Sequence, residues 1–388
     1  MKHRSILAIL WVVLALVAAA CGGDDTADTT DATGASDTTA AAEQETPETT
    51  AAPEEEPSDT TAPEGESVLA PVGLVIAQGG LGDESYNDLA FEGLTRAGEA
   101  TGLEVRPVEA NDIVAEGEQV LRRAADAGFG LIIDLEFAHA ELLAQIAPEY
   151  PDTNFAFVNL PVEGDNIRSI VFKEHEGSFL AGMLAALVTS DENNPKVNPE
   201  KVIGVVGGTK SAGIDKFIVG FMQGAEYVDP EVEVLVSYTN DFGDAAKGRD
   251  AAMAMFDQGA DIVYQVAGGA GLGVLDAAAE RGHYAIGVDN DQDGLQPGHV
   301  LTSMVKWVDR GVEQVVTEYA NGEFAGGTVL ELGLAEDGVG LTEFEHTAAD
   351  IPQEFLDQIE AAREAIISGE IEVWDVVADG YPDFFPES

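Results

Sequence analysis

From residue 72 to residue 289 the sequence repeats one rhythm: a short, continuously apolar run, then a stretch with apolar residues three and four positions apart. The first run covers 72–78, and Leu89, Phe91, Leu94 and Ala97 follow at helical spacing over 87–101. Runs at 103–108, 131–135 and 154–159 then alternate with helical stretches near 116–127 and 138–146. The rhythm returns at 202–206, 232–238, 262–266 and 284–288, with helices near 214–227, 245–258 and 273–281. Strands that are apolar at every position belong in a parallel sheet covered on both faces. Strand–helix alternation carried through twice predicts an α/β protein of two doubly wound, Rossmann-like lobes. Residues 160–200 and the stretch after Asp289 must then carry the crossovers, which predicts a hinge. The boundaries expected from this pattern are about 70–175 plus 290–320 for the first lobe. The second lobe is expected over about 180–288 plus 325–375.

What precedes this body has a different character. Lys2, His3 and Arg4 lead an uncharged apolar run over 6–20, too short for a stable span and typical of a secretion signal over 1–20. Three alanines then meet Cys21, the only cysteine of the chain. A cysteine used once, at that place, predicts lipidation there and a lipid-anchored protein on the extracytoplasmic face of the cell membrane. Residues 22–67 hold 14 acidic residues, 11 threonines and no basic or aromatic residue. Such a segment has nothing to bury, so 21–67 is expected to be a lipidated, disordered acidic linker. Its charge and prolines suit it to lifting a domain off a membrane.

The whole chain carries 72 acidic against 18 basic residues, a formal net charge of -54. A phosphate backbone would be repelled, which excludes a nucleic-acid partner held by charge. A single cysteine excludes a disulfide framework and multi-cysteine metal sites. Several motifs come close and stop short. GVVGGTKS at 204–211 has Thr209 where a phosphate loop needs glycine. GGAGLG at 268–273 lacks the dinucleotide-binding spacing, and DNDQDG at 289–294 lacks the closing glutamate of a calcium loop. Ser303 and Lys306 have acylase spacing without the companion triplets. No enzyme, cofactor or metal is expected.

In doubly wound sheets ligands sit outside the carboxyl ends of the strands. That rule selects the loop 79–87 after the first strand, Asn159 after the fourth, 238–244, 267–271 and 289–292. Glycines, polar groups and the aromatics Tyr86, Phe91, Phe137 and Phe242 gather there. They suit a small, partly planar ligand that bears hydroxyls.

These segments also resemble the basic membrane protein family of bacterial solute-binding lipoproteins, whose best understood members are purine nucleoside receptors. The resemblance is carried by GDESYNDLAFEG at 82–93, FKEHEGSFLAG at 172–182, GFMQGA at 220–225 and YTNDFGDAAKG at 238–248. DQGADIVYQVAGGAGLG at 257–273, YAIGVDNDQ at 284–292, VLTSMVKWVD at 300–309 and AIISGEIEVW at 365–374 complete it. It implies a type I periplasmic-binding-protein fold that closes on its ligand and hands it to an ABC importer's permease and ATPase. A receptor that signals to a membrane sensor through the same closure is the alternative, and a dinucleotide-dependent enzyme a remoter one. Carried over, Phe91 and Phe242 would sandwich a base, with Phe137 and Asn159 near its edge. Asp83, Ser85 and Asn87 would form a polar wall, Gly268 and Gly269 would let backbone approach, and Asp289 and Lys306 would grip ribose hydroxyls. Three positions differ from the family's usual residues: Tyr86 stands for phenylalanine, Glu136 for glycine and Asn159 for aspartate. The last two lie near the expected base edge.

Overall fold

A computed structural model describes residues 69–386; the signal, Cys21 and linker expectations lie outside the described residues. The first half supplies β1 (Val72–Val75), α1 (Tyr86–Thr101), β2 (Val105–Val108), α2 (Gly117–Asp126) and β3 (Leu131–Asp134). It continues with α3 (Ala140–Ile146), β4 (Asn154–Val158) and β5 (Ile167–Phe172). The second half runs α4 (Glu174–Thr189), β6 (Val202–Gly207), α5 (Ala212–Val228), β7 (Glu233–Tyr238), α6 (Ala245–Asp257) and β8 (Ala260–Val266). There follow α7 (Leu272–Arg281), β9 (Tyr284–Asp289), β10 (Val300–Lys306), α8 (Val308–Ala320), β11 (Thr328–Leu332), β12 (Val339–Leu341), α9 (Gln353–Ile367) and α10 (Val376–Asp379).

Two six-stranded sheets result, ordered β11-β5-β4-β3-β1-β2 and β12-β10-β9-β8-β6-β7. Every pairing is parallel except that of β12 on β10. The α/β architecture of two doubly wound lobes is therefore as the alternation predicts. Central strands such as β1, β3 and β8 are buried at every position, because helices cover both faces.

The lobe boundaries differ from expectation at the C-terminal end. β10 completes the second sheet rather than the first lobe's 290–320 segment, and β11 completes the first sheet rather than the second lobe's 325–375 segment. The chain crosses between β5 and α4, between β10 and α8, and between β11 and β12. The crossings run side by side: Lys173 N–H donates to Leu332 O at 3.0 Å, and Trp307 N–H to Gly338 O at 3.0 Å. An apolar run such as β10 shows that it is a strand, but not which sheet's edge it will join.

The helix after the first crossing is core throughout. Every residue of α4 except Glu176 is buried, which marks a helix with apolar contacts all round. It packs on α5 through glycines from two of the sequence pieces singled out above. A Cβ at Gly182 would lie 2.0 Å from the Phe221 carbonyl oxygen, and one at Gly224 would lie 2.0 Å from that of Phe179. The helices can approach this closely only because both positions lack a side chain. Gly182→Ala should therefore push α4 off α5 and destabilise the protein by about 1–3 kcal/mol or more, as overpacking does. A thermal or denaturant melt tests this, and an unchanged midpoint would show that the helix contact tolerates separation.

Candidate ligand cleft

The carboxyl ends of the two sheets face a cavity open to solvent. The first sheet contributes Gln78, Asp83, Tyr86, Asn87, Glu136, Phe137 and Asn159. Across from them stand Lys216, Phe217, Phe242, Gly268, Asp289 and Lys306, with Glu174 at the base and Val377 beside it. Among the described residues no cluster of three or more His, Cys, Asp or Glu side chains could hold a metal ion.

Backbone geometry concentrates at these strand ends. Asp289, the last residue of β9, has φ 64, and Asn159, just after β4, has φ 85. Asn and Asp are the side chains that best tolerate this left-handed region, at a cost of about 1–2 kcal/mol. Two turns that would otherwise call for glycine thus place polar side chains against the cavity.

The chemical centre is a buried charge cluster. Lys306 Nζ lies 2.8 Å from Glu174 Oε1 and donates to Asn159 Oδ1 at 2.5 Å. Lys216 Nζ pairs with the other Glu174 oxygen at 2.9 Å and donates to the Phe172 carbonyl at 2.7 Å. Burial alone would raise the Glu174 pKa, but the two ammonium groups outweigh it and hold the carboxyl at about 2. Lys306 also stands 5.0 Å from the Tyr86 ring centroid and 5.6 Å from that of Phe217, within cation–π range. Asn159 in turn donates to the Tyr86 hydroxyl at 2.9 Å, and that hydroxyl donates to Leu135 O at 3.1 Å. The Asn159 amide and the Tyr86 hydroxyl are thus hydrogen-bonded, whereas Glu174 Oε2 is held by the Lys216 ion pair and accepts no hydrogen bond.

Asp289 is less well compensated. Burial pushes its pKa up to about 6, opposed by the field of Lys306 and by the Ser85 hydroxyl, which donates to Oδ2 at 2.9 Å. That bond joins the first lobe to the second, as does Gln292 Nε2 donating to Glu84 O at 3.0 Å.

The structure brings most of the sequence-selected residues together. Asp83, Asn87, Phe137, Asn159, Phe242, Gly268, Asp289 and Lys306 line the cavity. Two of them are already occupied by the fold. The Asp83 carboxylate accepts from the N–H groups of Ser85, Asn87 and Asp88 at 3.0–3.1 Å, capping α1. The Asn87 amide holds Ala77 N–H at 2.9 Å and Asp83 at 3.0 Å. Ser85 and Gly269 stand behind the lining. Phe91 does not line the cavity; half-buried, it packs against the lobe core, because it lies one helical turn, about 6 Å, further along α1 than Asn87. Aromatic surface comes instead from Tyr86, Phe137, Phe217 and Phe242. Glu174, Lys216, Phe217 and Gln78 are residues that the strand-end rule missed. Lys216 carried a usable signal, since it is one of only seven lysines after position 67.

The chain is similar to known proteins over nearly all of the described residues. The sequence profile of Bmp, described as "ABC transporter substrate-binding protein PnrA-like", matches residues 70–376. A "CD4+ T-cell-stimulating antigen" of Listeria innocua is 34% identical over 323 residues, covering 78% of this chain and 87% of the relative. An "ABC transporter nucleoside-binding protein BmpA" of Lactococcus lactis is 31% identical, covering 77% and 88%. Among solved structures, an ABC transporter solute-binding protein from Aeropyrum pernix superposes with a TM-score of 0.73 at 29% identity, over 79% of this chain and 93% of that one.

The raised Asp289 pKa has a stability consequence. With a folded pKa of about 6 against 3.8 for the ordinary group, the folded state binds the proton more tightly than the unfolded chain. This group's favourable contribution is therefore present at low pH and lost as pH rises from about 4 through 6. A two-unit shift corresponds to on the order of 2–3 kcal/mol. Asp289→Asn should make the ligand-free protein melt a few degrees higher at pH 7.5, with the gap closing towards pH 4. A variant that melts at or below the parent at pH 7.5 would contradict this.

Proposed function

The chain belongs to the Bmp family of PnrA-like ABC transporter substrate-binding proteins, and from that premise we propose that it binds purine nucleosides between its lobes. It would present them, without chemical change, to the permease and ATPase of an importer, from a lipid anchor at Cys21 on the outer face of the membrane. The observation that carries this reading is the pairing, in one cavity, of an aromatic wall at Phe242 with a buried cation and carboxylate at Lys306 and Asp289. A flat base needs the first, and vicinal ribose hydroxyls need the second.

The strand order separates the two ends. Phe242 follows β7 at one edge of the second sheet, while Asp289 and Lys306 end β9 and β10 towards the other. Lys306 can donate to a ribose oxygen, and Asp289 can accept from a ribose hydroxyl in place of Ser85. Charged groups bonded to neutral partners away from water contribute about 1.5–3 kcal/mol each. Closure is supported by the contacts that already bridge the lobes: Ser85 with Asp289 and Glu84 with Gln292.

Lys306→Met keeps most of the stem and removes the donor, so nucleoside affinity should fall about tenfold or more while that of the free base changes little. Phe242→Ala should weaken nucleoside and base alike, by roughly five- to a hundredfold, the range of base–aromatic stacking. Titration calorimetry on both variants checks these outcomes. Equal loss of nucleoside and base in Lys306→Met would place the ribose elsewhere.

The anchor has a separate test. Cys21→Ala should release the protein from the membrane fraction or leave it as an unprocessed precursor. Normal processing and retention in that variant would exclude lipidation at Cys21.

A further inference from the structure

Glu136 follows β3 with no exposed surface, yet it lines the cavity. Its carboxylate is held rigidly by backbone. Ala138 N–H donates to Oε1 at 3.1 Å and Gln78 N–H to Oε2 at 3.1 Å. The Glu136 N–H donates to Asp134 Oδ1 at 3.0 Å, and Asp134 is paired with the buried His139 at 2.9 Å. The remaining contact is of another kind. The Gln78 side-chain amide nitrogen lies 3.2 Å from one carboxylate oxygen and 3.3 Å from the other. Both bonds are long, one nitrogen is shared between two acceptors, and Gln78 is only half-buried. A ligand entering the cavity could displace that amide and take both oxygens.

We propose that Glu136 selects the nucleobase, favouring one that offers two adjacent N–H donors, as the N1–H and exocyclic amine of guanine do. This rests on the nucleoside reading above. The position is right for a base edge. Gln78 precedes Gly79, where a Cβ would lie 3.1 Å from the Phe242 carbonyl oxygen, so the Glu136–Gln78 pair lies beside the Phe242 loop, whereas Lys306 is held by Glu174 and Asn159. The chemistry discriminates in a definite order. A carboxylate is an acceptor only. Guanine meets it with two donors in a fork that matches its two oxygens. Hypoxanthine has N1–H alone. Adenine brings a donor at N6 but sets its N1 lone pair against the second oxygen, leaving a buried acceptor opposed to another acceptor. A site built around donors rejects a ligand that lacks them far more strongly than an apolar pocket rejects a missing methylene.

The test is calorimetric, at pH 7.5, with guanosine, inosine, adenosine and 1-methylguanosine. The parent protein should bind guanosine about tenfold or more tighter than adenosine, with inosine between. It should also bind guanosine about tenfold tighter than 1-methylguanosine, whose N1 donor is blocked; this arm needs no variant and so does not depend on a substituted protein folding. Glu136→Gln should lose the guanosine preference, because its amide can donate to adenine N1, while guanosine falls about tenfold. Equal binding of all four ligands, or a Glu136→Gln variant that shifts guanosine, inosine and adenosine by one common factor, overturns the assignment and leaves the nucleoside reading standing. A parent protein that prefers adenosine also overturns it. A parent that binds none of the nucleosides overturns the nucleoside reading itself, and this inference with it.

Discussion

Glu174, clamped between Lys306 and Lys216, is the contact on which the cleft depends. It begins α4 at the first crossing, Lys306 ends β10 at the second, and Lys216 lies on the inner face of α5. All three side chains are almost without solvent contact. Taking such charges out of water is expensive, and removing Glu174 would leave two buried ammonium groups without the carboxylate between them, a loss of several kcal/mol. A well-packed apolar trio could be as stable, so stability alone does not account for the cluster. What the ions supply is position: Lys306 is aimed into the cavity by a carboxylate that a second lysine holds in place. The same contact ties together the places where the chain passes from lobe to lobe.

The strand ends carry further local costs. Asp289 and Asn159 both occupy left-handed backbone, and Asp289 is a buried carboxyl whose charge only partly meets Lys306. Such strain and desolvation persist when the surrounding structure over-determines them. Here the surroundings are strands buried on both faces and a helix, α4, buried on nearly every side. A rigid core permits an under-compensated cleft, and an under-compensated cleft is what a hydroxyl-bearing ligand can satisfy.

The same division explains what the sequence made legible. Fold class was readable because a parallel strand covered on both faces has to be apolar at every position, and β1, β3, β6 and β8 advertise it. The lobe membership of β10 and β11 was not readable, since it depends on which sheet has a free edge beside each crossing. Asp289, Gly268 and Phe242 were selected by their place after strands, and Lys306 by the family resemblance. Glu174, Lys216 and Phe217 were missed because they sit on helices, where only packing decides which face looks into the cleft. Phe91 failed for a related reason: helical spacing made it conspicuous, but it lies one turn along α1 beyond Asn87, packed against the core rather than lining the cleft.

The three positions at which the family resemblance leads one to expect other residues, Tyr86, Glu136 and Asn159, lie at neighbouring strand ends. Tyr86, with a hydroxyl where phenylalanine is usual, accepts from the Asn159 amide and donates to Leu135 O. An aspartate at 159 could not donate to that hydroxyl, and it would set a second carboxylate beside Lys306, which Glu174 already neutralises. With asparagine there, one negative charge is absent from the end of β4. Glu136 restores a carboxylate just beyond the end of the neighbouring strand β3, where its hydrogen-bonding partners are the neutral N–H groups of Gln78 and Ala138. Relative to an aspartate at 159, the carboxylate thus stands not beside Lys306 but among neutral N–H groups. Phe242 and Lys306 are compatible with many nucleosides. Under the proposal above, the displaced carboxylate is what would make the cavity demand donors from the base.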